Sequence, residues 1–352
     1  MEEKKKTARE IIEGYDGPSV RIMEVCGTHT HEIFRLGIRK LLPEQVELIS
    51  GPGCPVCVTQ VGFIDEAIYL ALERQVTICT FGDLVRVPGT NMSLAGAREK
   101  GAKIRIVYSP VDAKEYAKEH PKEQVTFLSV GFETTTPSAC LSVKKAREEG
   151  LTNYSILTAN KTMPQAYEAL KGSADIFLYP GHVNAITGTK LCEELAKEGV
   201  SGVVAGFTAK ELLTALAVAL TRFQEGRPFF VNCYPRVVTE NGSPQAQKLV
   251  EEMMEPCDSE WRGLGVIKGS GMRLQEEWSA FDARKKYKIP LIQGKANPAC
   301  RCGDVLQGKC KPSDCKVFGK VCTPQHPVGA CMVSGEGACS AYYMYGEAEK
   351  MK

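Results

Sequence analysis

Charge of one sign is the first thing this 352-residue chain lacks: 44 Lys and Arg stand against 42 Asp and Glu, a formal net charge of +2. That balance gives no steering towards nucleic acid or an anionic membrane, so neither is expected as a partner. Long apolar runs are missing too. Stretches such as Glu211 to Leu220 (ELLTALAVAL) are too short and too interrupted to span a bilayer. The opening MEEKKKTARE has no apolar core of the kind a secretory leader needs, so a cytoplasmic location is expected. No G-x-x-x-x-G-K-[ST] loop occurs and no G-x-G-x-x-G follows a strand, which leaves nucleotide binding without a motif. Histidine is scarce, at five residues.

Cysteine is abundant, at 15 residues. With no export signal, disulfide scaffolding is not expected, and a reducing cytosol leaves buried inert thiols, metal ligands or redox-active thiols. Position separates these. Seven cysteines fall between Cys300 and Cys339, and Cys26, Cys54 and Cys57 sit in Gly/Pro-rich loops. Cys79, Cys140, Cys192 and Cys233 lie in or beside apolar periodic segments and are expected to fill cores.

Up to about residue 235, short β-rich runs alternate with helical patterns. Expected strands are 20–25, 46–50, 76–80, 104–108, 125–130, 156–158, 176–179 and 202–206, with amphipathic helices such as 63–75 and 209–223 between them. Alternation of this kind predicts an α/β fold with parallel sheets. Two units are preferred over one barrel, 1–120 and 121–235, split at the polar stretch Lys118–Glu123 (KEHPKE). Residues 236–352 form a third, smaller domain, with a helical stretch near 274–287 and a Cys/Gly/Pro-rich tail from Asn297. The extreme N-terminus is expected to pack on that third domain. A tail with so few apolar runs needs a metal or disulfide staple.

Ligands in open parallel sheets sit where strands end. Cys26-Gly-Thr-His-Thr-His31 follows the first strand, and a Cys26 thiolate with the His29 imidazole at a helix start suits a transition metal such as iron. Gly51-Pro-Gly-Cys-Pro-Val-Cys57 follows the second. Its Cys54 and Cys57 are spaced for a redox dithiol acidified by the helix end, or for half of a zinc site. Gly131-Phe-Glu-Thr-Thr-Thr-Pro137 offers hydroxyls to cap a helix or hold an anion, and Glu133 as an acid–base group. Pro180-Gly-His-Val-Asn-Ala-Ile-Thr-Gly188 contributes His182, and the loop 81–89 contributes Asp83 and Arg86, either as site groups or as a plain salt bridge.

The tail cysteines are 300, 302, 310, 315, 322, 331 and 339. Four thiolates saturate a cubane iron–sulfur cluster and equally suit structural zinc. The irregular spacing lacks the paired knuckles usual for zinc, which favours iron–sulfur.

CGTHTH (26–31), GPGCPVC (51–57), GFETTTP (131–137), PGHVNAITG (180–188) and the tail CRCGDVLQG…GACMVSGEGACSAYY together resemble the HypD family of hydrogenase maturation proteins, over nearly the whole chain. The resemblance implies two α/β domains and an iron–sulfur domain. It also implies a 4Fe–4S cluster on the family's C-x14-C-x6-C-x16-C motif, which falls here on Cys300, Cys315, Cys322 and Cys339 and leaves Cys302, Cys310 and Cys331 as non-ligands. It further implies assembly of the Fe(CN)2CO unit of nickel–iron hydrogenases with a small chaperone, HypC, and cyanide supplied by HypE. Iron carrying cyanide and carbon monoxide would be held at Cys26 and His29, with Cys54 and Cys57 as a dithiol and Glu133, Thr134 and His182 lining the cavity. An alternative with the same cluster and dithiol is a disulfide reductase resembling ferredoxin–thioredoxin reductase.

Overall fold

The structure, a computed structural model, describes residues 6–346. Its strands are β1 (Val20–Glu24), β2 (Val46–Ser50), β3 (Thr77–Thr80), β4 (Ile104–Ile106), β5 (Val125–Gly131), β6 (Tyr154–Asn160), β7 (Ile176–Pro180), β8 (Ser201–Ala205), β9 (Phe230–Asn232), β10 (Met254–Trp261) and β11 (Gly265–Leu274). They form a five-stranded parallel sheet in the order β2-β1-β7-β8-β9, a four-stranded parallel sheet in the order β4-β3-β5-β6, and an antiparallel hairpin β10-β11. The α/β class with two parallel sheets and a Cys-rich C-terminal region is thus the architecture of the chain. β5 and β6 are buried along their whole length, because helices cover both faces of a parallel sheet.

The sheets do not divide at residues 118–123. β3 and β4 precede that stretch and β5 and β6 follow it, yet all four share one sheet, while the other sheet joins β1 and β2 to β7, β8 and β9. KEHPKE is a surface turn rather than a boundary. The buried Asn153 amide holds it to the sheet, donating to the carbonyls of Ala117 (2.8 Å), His120 (3.2 Å) and Glu123 (2.9 Å). The apolar faces of the strands decide pairing, whatever the polarity of the turn between them.

Residues 1–5 lie outside the described residues, so the expected packing of the extreme N-terminus is visible only from residue 6 onwards. Helix Ala8–Glu13, closed by a Thr7/Glu10 capping box, lies on helix Ala209–Phe223 against the first sheet, with Ile12 in the core, and not on the third domain. The expected helix near 274–287 is a 3-10 turn, Glu276–Phe281, followed by a single helical turn, Ala283–Lys286. The tail contributes short helices at Cys302–Leu306, Ala330–Met332 and Ala338–Tyr345. It builds no core of its own. Leu306, Cys331, Met332 and Cys339 join one apolar cluster with Met23, Cys54, Phe132, Tyr167 and Trp261, which places the tail over the strand exits of both sheets. No helix among the described residues is long and apolar enough to cross a membrane.

Candidate functional site at the strand exits

β1 and β2 are parallel neighbours in register from Val20↔Val46 to Glu24↔Ser50, so their exit loops emerge side by side. The Gly27 N–H donates to the Gly53 carbonyl (3.0 Å) and the Gly51 N–H to the Glu24 carbonyl (2.9 Å). A Cβ on Gly53 would fall 2.2–2.5 Å from the Cys26 backbone, and one on Gly27 would lie 2.7 Å from the Glu336 Cβ and 3.1 Å from the Cys54 Cβ. The glycines of the two motifs are therefore what lets the Cys26 loop, the Cys54 loop and the tail meet.

Cys26 caps helix Gly27–Arg35 and is 7% exposed. Burial pushes its thiol up to about 12, against the pull of the His29 and Thr28 backbone N–H groups. The expected acidification by the helix end is outweighed by desolvation. His29 is fully buried, with Nε2 3.1 Å from the Gly206 carbonyl, so that nitrogen carries the proton. Nδ1 is left with a free lone pair and no partner. Burial holds this imidazole near 4, neutral at physiological pH. Phe207, just past β8, packs against His29 (ring centroids 4.8 Å apart) and stacks on the exposed His182 (4.0 Å, 21°). His182 at the β7 exit and His29 at the β1 exit thus share one aromatic neighbour. Glu336 of the tail accepts from the Thr28 hydroxyl (2.6 Å), and its charge acts on both Cys26 and His182.

Cys54 caps the single helical turn Pro55–Val58, its Sγ accepting from the Cys57 N–H (3.3 Å). Both thiols are buried. Desolvation, followed by hydrogen bonds with Cys331 and Cys54, raises Cys57, so this thiol is not acidified either. Cys331 is the centre of the network. Hydrogen bonds from Cys302, Cys339 and Cys57 stabilise its thiolate and hold it well below the ordinary thiol range. Cys302 in turn lies 3.2 Å, sulfur to sulfur, from Cys300. A continuous run of free thiols therefore leads from Cys54 and Cys57 through Cys331 to Cys302, Cys300 and Cys339.

Of the four cysteines in the tail motif, Cys300 and Cys339 join this network directly, and Cys322 lies close enough for the charges of Cys300 and Cys302 to act on it. Cys315 stands at the rim, its Sγ 3.9 Å from the Ala299 carbonyl. Two features suit a sulfur-rich inorganic group. The Val328 N–H donates to the Cys322 sulfur (3.4 Å), and a Cβ on Gly329 would fall 2.3 Å from the Cys300 sulfur and 2.6 Å from that of Cys302. No three His, Cys, Asp or Glu side chains among the described residues are already grouped to hold a metal ion.

Glu133, at the β5 exit, accepts from the Met163 N–H (2.8 Å) through Oε1, while Oε2 is buried without a partner. Burial pushes this carboxyl up to about 7, into the range of acid–base chemistry at neutral pH. The neighbouring hydroxyls do not cap their helix. Those of Thr135 and Thr136 donate back to the Phe132 carbonyl (3.3 and 2.9 Å). Thr134 is exposed. Asp83 and Arg86 do not pair with each other. Asp83 accepts from the Ser334 hydroxyl (2.9 Å) and Arg86 donates to the Pro324 carbonyl (2.7 Å), so both fasten the tail to the second sheet. Cys79, Cys140 and Cys192 are buried in cores, and Cys233 is partly buried beside one.

Three contributors carried no sequence signal. Cys302 and Cys331 are indistinguishable by spacing from spare tail cysteines. Tyr167 lies in the ordinary helix Met163–Ala169, 2% exposed, with an unpartnered hydroxyl whose electrostatic neighbours include Glu133 and Cys26.

The fold and site define a cysteine-rich α/β protein whose thiols gather where parallel strands end. Residues 2–346 match the model of the HypD family, described as "Hydrogenase formation hypA family". Similar proteins include the hydrogenase maturation factors HypD of Rhodobacter capsulatus (44% identical, covering 94% of this chain and 90% of the relative), Escherichia coli K12 (43%, 94% and 90%) and Cupriavidus necator (42%, 95% and 92%). The chain belongs to the HypD family of hydrogenase maturation factors.

Proposed function

We propose that this chain works in the cytoplasm with a HypC-like small chaperone to assemble the Fe(CN)2CO unit of nickel–iron hydrogenases, with cyanide supplied by a HypE-like partner. The observation that carries the reading is the junction of the β1 and β2 exits, where the Cys26 loop touches the Cys54 loop and Cys57 opens onto the thiol network. Iron is cargo here, taken by the Cys26 sulfur together with a thiolate of the chaperone. His29, neutral and with Nδ1 free, has the lone pair that a borderline metal accepts. Since burial keeps Cys26 protonated, iron binding must displace that proton, and uptake is expected to become easier as pH rises. Glu133 provides a group able to exchange protons close to neutrality, and His182, its imidazole pushed down by burial, a neutral base.

Cys300, Cys315, Cys322 and Cys339 are proposed to hold a 4Fe–4S cluster, which supplies single electrons when bound. The chain's own thiols handle electron pairs. When Cys54 and Cys57 are joined, the Cys331 thiolate attacks the Cys57 sulfur and Cys54 leaves as a thiolate. Cys302 then attacks Cys331, which frees Cys57 and leaves a Cys302–Cys331 disulfide, so two electrons have moved with no net loss. Two electrons and two protons from outside restore the free thiols.

The thiol network also favours a second reading, a disulfide reductase resembling ferredoxin–thioredoxin reductase, which gives Cys26 and His29 no task. Infrared spectroscopy of the chain co-purified with its small chaperone separates the two. Cyanide and carbon monoxide bands that vanish in Cys26→Ala, with total iron otherwise retained, support assembly; their absence from the wild-type complex favours the reductase. Anaerobic iron and zinc analysis tests the metal itself, since a colourless zinc protein contradicts both.

A further inference from the structure

Beside the sulfur network lies a cavity of about 790 Å³ walled by Arg86, Arg262, Lys295 and His326, with Pro298 and Val328 among its remaining lining residues. No Asp or Glu lines it. None of the four basic side chains belongs to an ion pair among the described residues. Arg86 and Arg262 are instead anchored to backbone carbonyls, of Pro324 (2.7 Å) and Thr59 (3.1 and 2.9 Å). Two carboxylates on adjoining elements are occupied, Asp65 by the Thr90 N–H and hydroxyl (2.8 and 2.5 Å) and Asp83 by the Ser334 hydroxyl. In a chain of net charge +2, a lining that carries Arg86, Arg262 and Lys295 and no carboxylate is a local excess of positive charge, offset in part by Asp65 and Asp83 on those adjoining elements.

The cavity adjoins the sulfurs. Val328 supplies both lining and the N–H that meets Cys322, Pro298 is two residues from Cys300, and the Arg262 charge acts on Cys300. Its basic side chains come from four separate segments, and Arg86, Lys295 and His326 are exposed at the rim. That layout suits the carboxylates of a protein face better than one small anion.

We propose that this basic cavity is the docking site of an acidic one-electron carrier protein that supplies reducing equivalents to the sulfur network beside Cys300 and Cys322. The proposal rests on the redox role argued above. Each carrier gives up one electron and leaves oxidised; two encounters and two protons convert one disulfide of the network into two thiols.

The test is titration calorimetry of the full chain, purified anaerobically, with an acidic two-iron ferredoxin at low and high salt. The account expects binding that weakens as salt rises, and weakens about tenfold or more in Arg86→Glu/Lys295→Glu. Lys295→Glu alone alters only an exposed side chain and is expected to show a smaller loss with unchanged melting. Lys268→Glu, the same charge change on the hairpin, is expected to have no effect. No binding, salt-independent binding, or an equal loss in Lys268→Glu overturns the proposal. So does pyrophosphate binding more tightly than ferredoxin with the same sensitivity to Lys295→Glu, which assigns the cavity to a small anion. Counting free thiols after mixing the oxidised chain with reduced ferredoxin keeps the two readings apart: binding with no gain of free thiols preserves the docking site and removes the redox role.

Discussion

Three buried polar atoms, the Nδ1 of His29, Oε2 of Glu133 and the hydroxyl of Tyr167, belong to side chains around the strand exits and have no partner. A buried polar atom left unpaired costs about 1–3 kcal/mol, so each of the three lowers the stability of the fold. Tyr167→Phe is expected to leave the protein at least as stable as the wild type, by urea unfolding at neutral pH. A loss above about 1 kcal/mol would show that the hydroxyl already has a partner. Glu133 gives a pH signature. Its carboxyl sits near 7 in the folded chain and near 4.5 when exposed, so the folded state binds more protons between those values. Wild-type stability should therefore fall relative to Glu133→Gln as pH rises from 4.5 to 7 and stay level above, with a total difference of up to about 3 kcal/mol. Parallel unfolding curves for the two proteins across that window would contradict the assignment. His29 and Glu133 were legible because each sits in a motif straight after a strand. Tyr167 was not, because an aromatic residue in an amphipathic helix reads as packing until the surroundings of its hydroxyl are known.

Among the elements, the eight β-rich runs of the first 235 residues all became strands, since continuous apolar runs between turn residues are what a doubly covered parallel strand requires. The hairpin β10-β11 was hidden. β11 contains Gly269-Ser270-Gly271, which reads as a turn, and β10 contains Pro256 and alternates partly exposed residues. Their pairing is secured by contacts far away in sequence. The Trp261 indole donates to the Ser270 hydroxyl (2.8 Å), and the Arg262 N–H meets the Val58 carbonyl (2.8 Å), so the hairpin braces the dithiol turn. The close approach of the exit loops makes a sharper prediction. Gly53→Ala forces a methyl into the Cys26 backbone and should cost several kcal/mol or part the two loops. Alkylation of Cys26 and Cys54 by a thiol reagent should become much faster than in the wild type; unchanged protection would mean that the loops are not interlocked.

In the whole molecule, the parallel α/β class followed from alternation, but the partition of strands did not. Chain order cannot show that β1 pairs with β7 across some 150 residues, or that the polar turn at 118–123 lies within one sheet. The tail's location was equally invisible. Its cysteines gain meaning from lying over the dithiol, which makes Cys302 and Cys331 connectors between two groups that sequence spacing keeps apart. Cys331→Ser should retain the wild-type iron content yet slow reduction of an oxidised Cys54–Cys57 pair by at least tenfold, followed by quantifying free thiols after adding reductant; an unchanged rate would remove Cys331 from the path. The central claim is that one end of this fold unites an iron-holding thiol with that sulfur network. It is tested most directly by infrared spectroscopy and iron analysis of the chain co-purified anaerobically with the HypC-like chaperone proposed as its partner, alongside Cys26→Ala. The account predicts cyanide and carbon monoxide bands in the wild-type complex and their loss in the variant, which keeps all but about one iron per chain. Bands of equal strength in Cys26→Ala, or a wild-type complex holding iron but neither ligand, would contradict it.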